Sequence, residues 1–255
     1  MTAPLARTLS SLAAVVMTVA CTSYYEIPIE TPIRPKLDVS AFQRVLVAGF
    51  ISGGTDDVDG NLETTRLLRS QLRTKSEMRV IDTDVLPLMD VATESRATSD
   101  TPPENENTPP GVIREDSDLE PYEHVFADVE YWKRIGEEYQ QPLIVTGTVM
   151  FAPQARSGIV QRDQEVYDSF GRRRVVPVRT YMERKGFVLK PRFIFIDGRT
   201  GTVLHSENFR EEILYNANQT SPALSSYFEL MDRLIPSFLS TLSSQKIKGT
   251  RVLLQ

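Results

Sequence analysis

Cysteine occurs once in this sequence, at position 21, and histidine only twice. A single thiol excludes an intramolecular disulfide, and one Cys with two His cannot furnish a Cys/His zinc site. No uninterrupted apolar run reaches the ~18–20 residues that a membrane-spanning helix needs. Basic residues are not in excess: 29 Lys and Arg stand against 34 Asp and Glu, for a formal charge of −5. That balance argues against a general nucleic-acid binder. Collagen-like, coiled-coil and wholly disordered compositions are absent too. What remains is ordinary globular chemistry, 40% hydrophobic over 255 residues. It suffices for one good-sized core.

The N-terminus reads as an address. Arg7 is the only charge in residues 1–20, and residues 9–20 (LSSLAAVVMTVA) form an apolar segment too short to cross a bilayer. This is the pattern of a secretory signal. It ends at Thr18-Val19-Ala20-Cys21, which resembles a bacterial lipobox, with Thr18 where Leu is usual. The resemblance implies that Cys21 is acylated with palmitate-type chains and becomes the mature N-terminus. The chain would then meet its membrane through a lipid anchor rather than a span. Thr22 in place of Asp after the Cys implies, by the same resemblance, the outer membrane, with the domain facing the periplasm.

Residues 21–42 carry Pro28, Pro32 and Pro35 without helical period and are expected to form a flexible tether. A single α/β domain is expected over 43–255. Residues 44–50 (RVLVAGF) form a continuous apolar run of strand length, the mark of a strand buried on both faces. Leu62, Leu68 and Leu72 space a helix over 61–75, and residues 78–82 (MRVID) give a second strand. Strand, helix, strand with short links predicts a βαβ unit with parallel strands. Residues 91–121 hold five Pro and eight acids against two bases, and are expected to be a disordered acidic insert. From Cys21 onward the chain has 28 bases and 34 acids, so outside that insert 26 face 26 and the body is neutral.

Helical period resumes at Phe126, Val129, Trp132, Ile135 and Tyr139, and residues 143–151 (LIVTGTVMF) predict a third buried strand. Alternating, charged segments of hairpin type follow at 157–168, 172–182, 186–197 and 202–215, with turns at Asp168-Ser169-Phe170-Gly171 and residues 197–201. Ser221-Pro222 opens a last helix, with Pro236 placed to kink or split it. Residues 251–254 could add a short strand. The expected fold is therefore α/β: a mixed sheet with a parallel βαβ start, then antiparallel hairpins, and helices packed on the sheet.

That order, with residues 44–50, the "VTGTV" of 145–149 and the "FIFIDGRTGTV" of 193–203, resembles a family of bacterial envelope lipoproteins. It groups the curli secretion channel subunit (CsgG-like), the lipoprotein activator of penicillin-binding proteins (LpoB-like) and relatives of the TolB N-terminal domain. The likeness spans roughly residues 42–243; the acidic insert and the charged stretch 153–186 depart from it. It implies an adaptor, activator or pore subunit and brings no catalytic residues.

The residues themselves offer no catalytic, cofactor or metal site. Thr55, Asp57, Asp59 and Gly60 fit positions 1, 3, 5 and 6 of an EF-hand loop, but Arg66 stands where a bidentate Glu is required, so a turn with a helix cap is expected. His124 and His205 are scattered. Glu137-Glu138 and Glu211-Glu212 are adjacent pairs whose carboxylates point apart. Arg172, Arg173 and Arg174 form the one basic run, a candidate site for an anionic or acidic envelope partner. A non-enzymatic outer-membrane lipoprotein acting through protein contacts is the expected function, with an unidentified envelope protein as partner and homo-oligomers compatible with the reading. The alternatives are a CsgG-like secretion channel subunit and a glycan-directed enzyme. A channel needs strands of roughly 9–11 residues with one continuously apolar face. Of the hairpin segments only Arg174, Val176, Val178, Thr180 and Met182 approach one.

Overall fold

The computed structural model describes residues 24–97, 113–216, 219 and 221–254. Two compact units divide them: residues 36–242 form one, and the flanking residues up to 35 and from 243 form the other.

The larger unit is built on a six-stranded sheet. Its strands are β2 (Arg44–Gly54), β3 (Arg79–Val80), β4 (Leu143–Tyr167), β5 (Arg173–Asp197), β6 (Val203–Asn208) and β7 (Glu211–Asn216). β2 pairs in parallel with β3 and with β4; β4–β5, β5–β6 and β5–β7 are antiparallel. The sheet is mixed, parallel at its start and antiparallel afterwards, as its sequence pattern predicts. Helices α1 (Gly60–Lys75) and α4 (Ala223–Leu242) serve one face. On the other lie α2 (Leu88–Ala97), a 3-10 helix (Asp116–Ala127) and α3 (Val129–Glu138).

Because both faces are covered, neighbouring strand residues go to opposite cores. Val45, Val47, Val145, Phe193 and Phe195 pack with Leu68, Leu72, Tyr227, Leu230 and Phe238. Leu46, Ala48, Ile144, Ile194 and Ile196 pack with Leu88, Trp132 and Ile135. In β2 the alternation changes parity at a bulge. Val47 pairs with Val145, but Thr146 pairs with Gly49, leaving Ala48 as an extra residue. Phe50 therefore joins Val45 and Val47, while Ile51 joins Leu46. Gly49 takes φ +138°, and a Cβ there would lie 2.9 Å from Val85 Cγ1 and 3.1 Å from the Leu86 carbonyl. Only glycine fits that bend without strain.

Polar groups complete the framework. Asp59 caps α1 by accepting from the Leu62 N–H at 2.9 Å. Tyr227 reaches across from α4 to the Thr64 hydroxyl and donates to the Gly60 carbonyl at 3.2 Å. Burial pushes its phenol well above the ordinary range. Trp132, fully buried, donates to the Val125 carbonyl at 2.8 Å. Pro236 lies inside α4 without dividing it.

Three expectations need correction. The stretch expected as a tether contains β1 (Tyr24–Ile33), which pairs over its full length with β8 (Gln245–Leu254) in an antiparallel ribbon, the second unit. Pro28 and Pro32 are tolerated because a two-stranded ribbon has outer edges that need no donors. The domain also begins earlier than residue 43. Leu37 donates to the Thr241 carbonyl at 3.0 Å, and Phe42 is buried in the core. Finally, the acidic insert is shorter than 91–121. Its first seven residues finish α2, with Ala92 buried, and Ile113 and Leu119 are buried beyond it. Gly54 donates to the Ile113 carbonyl at 2.8 Å. A few isolated apolar residues anchor these ends, a signal that acid- and proline-rich composition hides. Residues 98–112 lie outside the described residues.

Candidate interaction surface

β4 and β5 share one register, from Leu143 opposite Asp197 to Tyr167 opposite Arg173, with no shift along 25 pairs. Sequence periodicity divides this length into separate segments; the structure joins them into one hairpin. Its inner part is core. Its outer part leaves the sheet: β2 accompanies β4 only as far as Phe151, and β7 accompanies β5 only from Arg184. Among the described residues, 157–183 make no hydrogen bond or ion pair outside the hairpin's own strands. At about 3.3 Å per residue, the eleven residues 157–167 give a free shaft of roughly 35 Å. β-branched residues alternating with polar ones let it hold strand geometry with no body to pack on.

The pleat gives this shaft two chemically different faces. On the odd-numbered face Ile159 lies directly opposite Tyr181, and the two are 72% and 67% exposed. Val175 and Tyr167 continue that face, and its charges are balanced: Arg173 pairs with Glu165, and Lys185 with Glu183 at 3.4 Å. The even-numbered face carries Val160, Val166, Val176, Val178 and Met182, interleaved with Arg162, Arg174 and Arg184, and has no acidic residue at all. Arg156 lies opposite Arg184 and is neutralised by Glu212 at 2.9 Å. Arg162, Arg172, Arg174, Arg179 and Arg184 make no ion pair among the described residues.

The basic run is thereby taken apart. Arg172 sits in the turn, Arg173 on the odd face with Glu165, and Arg174 on the even face opposite Val166. Three consecutive arginines do not make one patch on a strand, because successive side chains point to opposite faces. The turn itself is tightly held. Asp168 Oδ1 accepts from the backbone N–H of Phe170 and of Arg172, both at 2.9 Å. Gly171 adopts φ +71° and donates to the Asp168 carbonyl at 2.9 Å. Phe170 is left 83% exposed and Tyr167 71% exposed. The readable signal for these aromatics is their position beside turn residues at the end of two alternating strands.

The other candidates resolve into structural roles. Asp59 of the 52–60 loop is the cap of α1, and Asp57 accepts from the Thr55 hydroxyl at 3.0 Å. Among the described residues no group of three or more His, Cys, Asp or Glu could hold a metal ion. His124 Nδ1 lies 2.9 Å from the Pro121 carbonyl. His205 Nε2 lies 3.5 Å from Glu207. Glu207 forms a junction that sequence reading does not find. Burial pushes its carboxyl up, but Lys36, Thr241 and His205 together hold it below its ordinary value. An open depression of about 360 Å³ at the base of the shaft is lined by Arg114, Asp116, Met150, Gln154 and Lys190, with Lys190 paired to Asp116. No helix among the described residues is long and apolar enough to cross a membrane. Cys21 lies outside the described residues.

No family model matches the chain, and no curated protein does. Among solved structures it is similar to the lipoprotein GNA1162 from Neisseria meningitidis, at 10% identity over 77% of this chain and 97% of that one, with a TM-score of 0.33. It is also similar to a neuraminyllactose-binding hemagglutinin homolog from Helicobacter pylori, at 10% identity over 82% and 86% of the two chains, with a TM-score of 0.35. At such scores these similarities identify neither a family nor a function. The resemblance to the CsgG-like, LpoB-like and TolB-like group rests on sequence motifs alone.

Proposed function

We propose that this chain is a non-enzymatic lipoprotein of the outer membrane, anchored through acylated Cys21 and facing the periplasm. It acts as an adaptor or activator of envelope assembly by offering the odd face of the β4–β5 shaft to a protein partner. The observation that carries the reading is the Ile159–Tyr181 pair. Two large side chains stand opposite each other, mostly exposed, on a shaft that among the described residues makes no hydrogen bond or ion pair outside its own hairpin. Aromatic and aliphatic anchors flanked by balanced charge have the chemistry of protein-interface hot spots. The channel alternative would place Arg162 in the middle of the even face in lipid, at a cost of roughly 2–4 kcal/mol per subunit. The odd face would bring Asp163, Glu165 and Arg179 instead.

The test is co-isolation of envelope proteins after crosslinking, by the wild type and by the Ile159→Glu/Tyr181→Glu variant. A specific adduct in the first and its loss in the second are expected. Equal recovery by both would sink the assignment. Unitary conductance in planar bilayers would favour the channel.

A further inference from the structure

We propose that the tip of the β4–β5 hairpin docks on anionic phospholipid bilayers. Phe170 and Tyr167 would enter the headgroup layer, and Arg172, Arg174 and Arg162 would meet lipid phosphates. The proposal is independent of whether Ile159 and Tyr181 engage a protein, because it rests on the turn, the even face and, of the odd face, only Tyr167.

The first support is an aromatic ring that folding does not require. Asp168 and Gly171 supply everything the turn needs, an acceptor for two N–H groups and a positive φ, and position 170 contributes only its backbone N–H. Any residue could serve there, yet Phe170 is held out to solvent by a turn too well bonded to fold it back. Tyr167, with an apolar ring and a polar end, has the chemistry that settles at a membrane–water interface.

Charge is the second support. The even face of the shaft contains arginines and no acid, and among the described residues Arg172, Arg174 and Arg162 make no ion pair that docking would have to displace. A basic side chain near an anionic leaflet strengthens binding by roughly five-fold. Arginine stems also lie along apolar surface while their guanidinium groups reach water or phosphate. That arrangement suits Val166 and Val178 beside Arg174 and Arg162.

Shape decides between lipid and protein as occupant. The aromatics crown a convex turn at the end of a shaft roughly 35 Å long, so the tip can enter a fluid surface while the body stays clear of it. A few apolar residues plus a basic patch give weak, reversible docking, not insertion.

The experiment uses the chain from Thr22 onward, without the apolar leader and Cys21, so that neither leader nor acyl chains can mask the tip, and co-sedimentation with vesicles. Binding to phosphatidylglycerol/phosphatidylethanolamine vesicles is expected, at least ten-fold tighter than to phosphatidylcholine vesicles and weakened by 0.5 M NaCl. Arg172→Gln/Arg174→Gln should lose about twenty-five-fold, at five-fold per arginine. Phe170→Ser/Tyr167→Ser should lose about ten-fold, whereas Ile159→Glu/Tyr181→Glu should bind as wild type. A Phe170→Trp reporter should shift its emission to the blue with anionic vesicles, and the native indole, Trp132, is buried. Absence of binding, equal binding to neutral vesicles, or binding that ignores Phe170 with no spectral shift would each overturn the proposal. The last result would leave a plain cationic patch, open to acidic proteins. Loss of vesicle binding in the Ile159/Tyr181 variant would instead move the membrane contact to the shaft.

Discussion

The inner and outer parts of the β4–β5 hairpin share two strands and one register, yet they answer to different physics. Inside, Val145, Val149, Phe193 and Phe195 are buried, and Phe193 meets Phe50 and Phe238 edge-on with centroids 5.8 and 4.9 Å away. Each such side chain stabilises the fold by roughly 1.5–3 kcal/mol through burial alone. Outside, Ile159, Val175 and Tyr181 stand in solvent and contribute little of this kind. One strand can thus be core for nine residues and largely exposed for the rest. The difference teaches that strand length is set by pairing and propensity, whereas stability is set by what lies above the pleat.

Ways to break the comparison begin with its largest expected effect. Phe193→Ala should cost about 3–5 kcal/mol in urea unfolding, while Val178→Ala in the shaft should cost less than about 1 kcal/mol. Similar losses would erase the distinction. Glycine offers a second contrast. Gly147 holds φ +142°, and a Cβ there would collide with the Arg192 carbonyl, whereas Gly171 at φ +71° has open space around it. Gly147→Ala should therefore destabilise by more than the roughly 1–2 kcal/mol expected for Gly171→Ala, and differential scanning calorimetry can rank the two.

Acid titration sharpens the contrast further. Glu207, opposite Phe193, has a folded pKa below its ordinary value of 4.5. Its contribution to stability is therefore complete above that value and is lost as pH falls through the lowered folded pKa. Glu207→Gln should flatten that part of the acid-unfolding curve. Glu165→Gln, which breaks an exposed pair with Arg173, should leave stability unchanged within about 0.5 kcal/mol. Smallest of all is the effect of excising 157–183 and closing the strands with Asn-Gly. The melting temperature should move by no more than about 1 °C, since the shaft buries almost nothing. A larger fall would mean that the shaft supports the body.

How much of this was legible depended on where each partner lay. The buried runs at 44–50 and 143–151, the helical spacing of Leu68 and Leu72, and the turn at Asp168 and Gly171 are local signals, and they place the mixed sheet correctly. The β1–β8 ribbon was not legible, because its two strands are more than 200 residues apart and prolines disguise the first. Ile113 and Leu119 were overlooked for a compositional reason: two apolar anchors do not register among acids and prolines. The arginine run was visible, but its division between turn, odd face and even face needed the strand phase. Ile159 and Tyr181 became a pair only once the register placed residues 22 apart opposite each other.

The central claim, that the outer shaft exists for contact rather than for stability, is tested most directly by a photocrosslinking scan in intact cells. Reporter residues would stand at 159, 175 and 181 on the odd face, and at the exposed body positions Arg66 and Glu130. Discrete adducts confined to the three shaft positions are predicted. Adducts at Arg66 and Glu130 with none on the shaft would contradict the account.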